Sequence, residues 1–406
     1  MRVVRNLDSL EKILRKKRSG KNKVPEKVAK IIKDVKDNGD NALIEYTKKF
    51  DKVKISQRDL KISESEISAA FNELDSNIIS AFKLAIDNVT KFYKRQIPKT
   101  TRVKEDNGKV LISRYVPLER VGVYIPAGTA PLVSTVYMSV IPALVAGVKE
   151  VVLTCPPARD RSLNPFILAV ASLLKIKEIY RLGGAQAIAA LAYGTKTIKK
   201  VDKIIGPGNE FVTEAKRQVF GAVDIDMLAG PSEVVVLASG RSNIDHVTAD
   251  LEAQTEHYGG TGIVVTNSRK VIRELRKRKI AGYALRVKNL DKAADAINTI
   301  APEHLEILTK KPSAVLKKIR NAGAIFLGDY TPVALGDYTA GPSHVLPTGG
   351  SGRFFSCLSV KDFLKEIHII SYTKKALQEE AQVLERIATL EGMVKHIESV
   401  KKRLSS

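Results

Sequence analysis

The sequence predicts an α/β fold with two Rossmann-like parallel-sheet domains and small helical segments at both ends, and three observations predict it. Short β-branched apolar runs recur from Val121: VGVYIP, then VVLTC, EIYRLGG and KVDKIIGPG. Helical stretches separate them, around Tyr137 to Gly147, Pro165 to Lys175, Ala185 to Gly194 and Asn209 to Val219. Strand, helix and strand alternating at intervals of ~30 residues is the mark of a parallel sheet with crossover helices. The pattern then repeats: VVVLA, a helix through His246 to His257, GIVVTNS, a basic helix, HLEIL, a helix, and GAIFLG.

The ends of the chain read differently. Residues 1 to about 100 are predicted helical, because LDSLEKIL and VAKIIKDV space apolar residues three and four apart. SESEISAAFNELDSNIISAFKLAIDNVTKFY continues that period, and Ser63 with Glu66 forms a capping box at its start. After Phe363 the chain returns to helix, with KKALQEEAQVLERIATLE as an amphipathic run before a final basic helix. The expected division is a helical segment over 1–20, a discontinuous α/β domain of 21–120 with 233–358, a second α/β domain over 121–232, and a helical tail over 359–406.

Composition narrows the function classes. With 406 residues, 44% hydrophobic and 27% charged, the chain has material for a large core and the balance of a soluble protein. No apolar run reaches the ~18 residues that would span a bilayer, so no membrane partner is expected. MRVVRNLDSLEKILRKKRSGKNK lacks the apolar block of a secretory signal, and its acidic residues argue against a transit peptide. A cytoplasmic location is the expectation. The net charge of +23 raises the question of nucleic acid. Basic residues crowd into Arg15 to Lys23 and Arg273 to Lys279, yet no aromatic residues interleave with them and no zinc-finger or RNP spacing occurs. A lysine-rich, solubilising surface is therefore expected, with no nucleic-acid partner, although it favours an anionic cofactor such as a dinucleotide.

Ligands of parallel α/β sheets bind at the carboxyl ends of strands, which directs attention to the loops after each strand. Four are glycine-rich: YIPAGTAP at 124–131, GGAQ at 183–186, GPGN at 206–209 and DMLAGPSE at 226–233. Each is read as preceding a helix, whose N-terminus attracts anions. None is a GxGxxG with an acidic residue ~20 positions on. Each alone is an ordinary tight turn; only their recurrence points to a shared crevice.

A polar constellation lies elsewhere. LEAQTEH places Gln254 and His257 three apart on a helix; APEHL sets Glu303 beside His304; GDYTAGPSH carries Asp337 and His344; LEGMVKH carries Glu391 and His396. Four of the six histidines fall in these segments, leaving His246 and His368 as structural or exposed. Two imidazoles and a carboxylate form a donor set that suits zinc, and each His equally fits a plain surface or core role. Spacing does not decide between the two.

At VDIDMLAGPSEVVVLA running into TADLEAQTEH, the sequence closely resembles the histidinol dehydrogenase family. The resemblance continues through VGVYIPAGTAPL, GGAQAIAALAYGT, KIIGPGNEFVTEAKRQV, APEHLEI and GDYTAGPSHVLPT, in order, over roughly residues 25 to 400. It implies a zinc-dependent, NAD-linked enzyme that oxidises L-histidinol through the aldehyde to L-histidine, the last step of histidine biosynthesis. It implies zinc ligands at Gln254, His257, Asp337 and His396, and paired acid–base residues at Glu303 and His304. It also implies substrate contacts from Ser232, His344 and Glu391 and from the zinc ligands and His304, with NAD contacts from Tyr124, Gln186 and Asn209. The 121–232 domain then becomes the NAD side and the discontinuous domain the substrate and metal side. A homodimer is implied as well, with active sites shared between chains through the tail. Only the lysine-rich ends look particular to this sequence.

The implied chemistry has a physical logic. Alcohol to acid needs two hydride transfers, with hydration of the aldehyde between them. Imidazole titrates near neutral pH, which suits His304 to take the hydroxyl proton; Glu303 would deprotonate the water that attacks the aldehyde. Zinc would act mainly as a template for the substrate's imidazole and amino nitrogens. A cysteine nucleophile is the rival chemistry. Cys155 ends an apolar strand and Cys357 sits in FFSCLSV, neither beside a His or strong cation, so both are expected to be buried structural thiols.

Overall fold

The computed structural model describes residues 1–18, 23–127, 131–256 and 259–405. They fall into two compact units, Met1–Gln96 with Leu118–Phe363, and Ile97–Pro117 with Leu364–Ser406. In chain order the strands are β1 (Arg2–Val4), β2 (Thr101–Lys104), β3 (Val110–Pro117), β4 (Arg120–Tyr124), β5 (Glu150–Cys155), β6 (Glu178–Arg181) and β7 (Lys203–Ile205). They continue with β8 (Asp224–Ile225), β9 (Glu233–Ala238), β10 (Thr261–Thr266), β11 (Tyr283–Arg286), β12 (His304–Leu308), β13 (Ala324–Leu327) and β14 (Leu364–Ser371).

The larger unit holds both predicted parallel sheets. The smaller one is ordered β6-β5-β4-β7-β8, every pair parallel. The chain steps outward from β4 to β6 and returns to β7, so the direction of winding switches between β4 and β7 and opens a crevice at their carboxyl ends. Every residue of β4 is buried, as expected of a parallel strand covered on both faces. Tyr124, Val152 and Tyr180 pack on one face against helices Val24–Asn38, Asp40–Phe50, Gly184–Tyr193 and Glu210–Val219. Each aliphatic side chain buried there contributes roughly 1.5–3 kcal/mol.

The other sheet is ordered β1-β11-β10-β9-β12-β13, again parallel throughout, with its switch between β9 and β12. Leu305 and Ile307 of β12 join the core with helices Leu7–Arg18 and Leu290–Ile300. On the opposite face Leu308 and Phe326 pack with Val247 and Leu251 of helix Ile244–Glu256.

The ends of the chain differ from the sequence reading. The first residues are not helical: Arg2–Val4 extends the six-stranded sheet beside β11, with Arg2 pairing with Tyr283. Three residues are too few to show a period, and the partner lies 281 positions away. The long helical run is two helices, Glu64–Asn72 and Ser76–Lys94, separated where Asp75 accepts a hydrogen bond from the Asn77 N–H at 2.7 Å. The predicted capping box is present, with Ser63 Oγ accepting from Glu66 N–H at 3.2 Å and Glu66 from Ser63 N–H at 3.0 Å; such a cap is worth about 1 kcal/mol.

The smaller unit, by itself, is an antiparallel sheet β14-β3-β2 with helices Lys374–Leu390 and Val394–Leu404. The tail is therefore not wholly helical, because Leu364–Ser371 pairs along its full length with Val110–Pro117. Among the described residues no helix is long and apolar enough to cross a membrane. The basic Arg273–Lys279 stretch ends a helix, and Arg276 to Lys279 are exposed, as a solvated face requires.

Candidate active site

One polar cluster in the larger unit joins residues that lie far apart in sequence. It forms because β9 and β12 are neighbours in a register that sets His304 beside Val234. Ser232 and Glu303, each just ahead of its strand, therefore meet. Ser232 Oγ donates to Glu303 Oε2 and accepts from Gln254 Nε2 at 2.8 Å. The N–H of Glu233 donates to the same Glu303 oxygen at 3.1 Å. Glu303 Oε2 lies 3.7 Å from His304 Nδ1, and His304 Nε2 lies 3.8 Å from Asp337 Oδ1. Gln254, Ser232, Glu303, His304 and Asp337 thus form a continuous line of polar contacts.

This cluster sits at the amino ends of β9 and β12, not the carboxyl ends to which the rule for parallel sheets directs attention. Helix Ile244–Glu256 explains the reversal. It runs back from the carboxyl end of β9, so its last turn returns Gln254 to the amino edge. The 226–233 loop, which follows β8 of one sheet and opens β9 of the other, delivers Ser232 to the same place.

Burial tunes the site. Glu303 is 7% exposed. Its carboxyl is pushed up to about 8, first by loss of water and then by the nearby charges of Glu233 and Asp337, against the lowering by its hydrogen bonds. Glu233, which the sequence reading did not single out, is buried too and holds the turn behind the site by accepting from Gly349 N–H at 2.8 Å. The only signal for it was its place in PSE beside Ser232. The His304 ring lies 6.0 Å from Phe326, and the Phe326 ring also abuts Gly336, one residue before Asp337, where a Cβ would stand 2.6 Å from Phe326 Cζ. His344 is half-buried and its Nε2 is 3.1 Å from Ser134 Oγ. The Ser343 N–H donates to Tyr93 OH at 2.8 Å, and Thr339 accepts from Asn88 Nδ2 at 2.9 Å, so the Asp337–His344 segment is pinned by helix Ser76–Lys94.

The glycine loops gather at the switch point of the five-stranded sheet. Tyr124 OH accepts from Gly184 N–H at 3.2 Å. Gln186 is fully buried, and neither of its amide atoms has a hydrogen-bond partner among the described residues. Asn209 is exposed and caps helix Glu210–Val219, its Oδ1 accepting from Phe211 and Val212 N–H. Gly206 has φ +112°, and a Cβ there would stand 2.2 Å from the Tyr124 carbonyl oxygen. A buried ion pair fixes this turn: Lys216 Nζ donates to Gly206 O at 3.0 Å and to Asp226, while Asp226 accepts from Gly206 N–H at 2.8 Å. Removing one partner of such a pair costs about 3–5 kcal/mol. Gly128, Thr129 and Ala130 of the first glycine loop lie outside the described residues, as does His257. Glu391 and His396 belong to the smaller unit, where both are exposed at the ends of its two helices.

Cys155 is buried, and burial pushes its thiol up to about 12. Cys357 is exposed, which corrects the expectation that both thiols are buried; Phe354 and Phe355 beside it are exposed as well, so FFSCLSV is apolar without being core. Its thiol is still raised, by local desolvation and then by Asp362. Neither is poised as a thiolate. A Cys155→Ala/Cys357→Ser double variant is expected to keep most of its activity, checked by steady-state turnover beside a far-UV spectrum. A folded but inactive variant, or a trapped thioester, contradicts this.

Comparison with known proteins agrees with this geometry. Residues 14–404 match the family model described as histidinol dehydrogenase. The chain is 46% identical to a histidinol dehydrogenase of Bacillus subtilis over 93% of its own length and 92% of the relative's. It is 44% identical to one of Clostridium acetobutylicum over 96% and 94%. A crystal structure of histidinol dehydrogenase from Elizabethkingia anophelis superposes with a TM-score of 0.93 at 35% identity, covering 100% of this chain and 98% of that one. The chain belongs to the histidinol dehydrogenase family, the NAD-dependent oxidoreductases that act on histidinol in histidine biosynthesis.

Proposed function

We propose that the Ser232–Gln254–Glu303–His304–Asp337 cluster is where this chain carries out the four-electron oxidation of L-histidinol to L-histidine, with Glu303 and His304 as its acid–base pair. The observation that carries the reading is the Glu303 carboxyl, buried beside His304 and raised to about 8. A carboxyl in that range takes and returns protons near neutral pH. His304 removes the hydroxyl proton as the alcohol is oxidised. Glu303 then deprotonates the water that adds to the aldehyde, and the hydrate is oxidised in the second step. Ser232 orients Glu303, while His344 and Glu391 contact the substrate.

Gln254, His257, Asp337 and His396 are the proposed zinc ligands. Among the described residues no three His, Cys, Asp or Glu side chains gather to hold a metal. The proposed set does not demand it. Its members in the larger unit are an amide oxygen at Gln254, a carboxylate at Asp337 and the imidazole of His257, and the fourth is supplied by the tail. Two imidazoles with two oxygen donors fit zinc. Gln254 is 4% exposed and its Nε2 is engaged by Ser232, so the orientation of the amide is fixed. When bound, zinc supplies a positively charged template for the substrate's imidazole and amino nitrogens.

For NAD, the unpartnered amide of Gln186 at a topological switch point is what supports a ligand there, with Tyr124 and Asn209 beside it. Tyr124, Gln186 and Asn209 would hold NAD, which when bound would supply the hydride acceptor, one molecule for each of the two oxidations. The five-stranded sheet of 121–232, on which helices Val24–Asn38 and Asp40–Phe50 pack, forms the NAD side, and the six-stranded sheet, which takes in Arg2–Val4 and the 233–358 strands, the substrate and metal side. The protein works in the cytoplasm as a homodimer whose tail completes the partner's site.

The test is NADH formation from histidinol, with and without a chelator. Zinc-loaded protein is expected to produce about two NADH per histidinol, one for each hydride transfer. Stripping the metal should abolish turnover, and His257→Ala should lower both bound zinc, measured by mass spectrometry, and activity. Full activity in thoroughly metal-free protein would sink the zinc assignment.

A further inference from the structure

The 226–233 loop carries Ser232 to Glu303, and between β8 and β9 it has no regular structure of its own. Side chains of neighbouring elements set its course instead. Helix Glu210–Val219 supplies two of them, Thr213 and Lys216, which stand three apart and so share one face. Thr213 Oγ1 donates to the Ala229 carbonyl at 2.9 Å. A helical threonine commonly turns its hydroxyl back to the carbonyl four residues earlier, as Thr90, Thr248, Thr299 and Thr389 do in this chain. Thr213 gives its donor to the loop.

Lys216 holds the start of the same loop. Its side chain is 3% exposed and that of Asp226 1%, so their ion pair is almost wholly out of water. Asp226 Oδ1 also accepts from the Met227 N–H at 2.6 Å, while Oδ2 takes the Gly206 N–H. Farther along, the Gly230 N–H donates to Thr348 Oγ1 at 2.5 Å, and the Thr261 N–H to the Ser232 carbonyl at 3.0 Å. Burying two charges is costly, and apolar side chains of similar volume often stabilise a fold as well or better. What apolar groups lack is direction. This pair aims the backbone of Gly206 and Met227, and with it the course of the loop toward Ser232.

We infer that Thr213, Lys216 and Asp226 are positioning residues for Glu303, acting through the 226–233 loop and Ser232. Helix Glu210–Val219 is the support. It begins at Asn209, so one helix carries both a proposed cofactor contact and the clamp on the loop that orients the water-activating carboxyl. The effect of the clamp falls on the aldehyde-to-acid half, because that half alone uses Glu303 as a base. This consequence rests on the acid–base reading proposed above; the clamp on the loop does not.

The test is Thr213→Val in zinc-loaded, full-length protein, which removes the hydroxyl and keeps the branched shape. Turnover of supplied aldehyde is expected to fall about tenfold, and the first hydride transfer from the alcohol, followed in a single turnover, by about threefold at most, with bound zinc unchanged. Thr213→Ser keeps the donor and should bring both rates back to within about twofold of wild type. Asp226→Asn should skew the two halves the same way and further; if it does not fold, Thr213→Val decides alone. A contact that only stabilises the fold would lower Tm and leave the ratio of the two halves where it was. Equal losses in both halves, or a skew as large in Thr213→Ser as in Thr213→Val, overturn the positioning role. Amide hydrogen exchange reads the loop without reference to the chemistry. In Thr213→Val the N–H groups of Gly230 and Glu233 should exchange on the order of tenfold faster, while the interior of β9 keeps its protection. Unchanged exchange at those two groups overturns the inference even where turnover falls. Glu303→Gln, run beside these variants, separates the two readings. Equal damage to both halves in Glu303→Gln removes the acid–base assignment, whereas faster exchange in Thr213→Val still upholds the clamp.

Discussion

Glu303→Gln is expected to slow the aldehyde-to-acid half of the reaction on the order of a hundredfold or more, and the alcohol-to-aldehyde half far less. The reason lies in what Gln can still do. It keeps the size of Glu303 and can still accept from Ser232 Oγ and the Glu233 N–H. It cannot take a proton from water. If Glu303 activates the water that hydrates the aldehyde, only the second half needs that proton transfer. His304→Ala, by contrast, should damage both halves, since each removes a proton from an oxygen as hydride leaves. Turnover with the alcohol and with the aldehyde, supplied separately, distinguishes the two. The pH profile adds a sign. Glu303 is a base only when ionised, so the aldehyde half should rise as pH passes through about 8 and lose that limb in Glu303→Gln. Equal losses on both substrates contradict the assignment.

The five-stranded sheet was readable because its information is local. VGVYIP, VVLTC and EIYRLGG are short β-branched runs separated by helical periods, and each became a strand within a residue or two of its predicted place. The parts that escaped the reading are those whose partners lie far away. β1 needs β11, and β14 pairs with β3 about 250 positions earlier. Neither segment carries a period long enough to announce a strand on its own.

The site divides in the same way. Glycine loops at the carboxyl ends of the smaller sheet follow from a general rule of parallel sheets. The acid–base cluster defies that rule by sitting at the amino ends of β9 and β12, and only the resemblance to a family brought Ser232, Gln254, Glu303 and His304 together beforehand. Register makes the contact: setting His304 beside Val234 joins residues seventy positions apart.

Mixing two inactive variants is expected to restore activity. The proposed ligand His396 and substrate contact Glu391 lie in the tail, within a compact unit separate from the one that holds Glu303, His304 and Asp337. If the tail of each chain completes its partner's site, a twofold dimer contains two equivalent composite sites. Combine His304→Ala with His396→Ala protein and allow subunits to exchange. In each mixed dimer, one site joins the His304→Ala strand to the His396→Ala tail and carries both lesions. The other joins an intact His304 to an intact His396 and carries neither. Random exchange makes half of the dimers mixed, so about a quarter of wild-type activity should return if the sites act independently. Were each site built within a single chain, every site in the mixture would keep one lesion and nothing would return. Native mass spectrometry of size-tagged variants establishes that heterodimers are present. A mixture that remains inactive with heterodimers in hand rules out the shared site and returns His396 to its own chain.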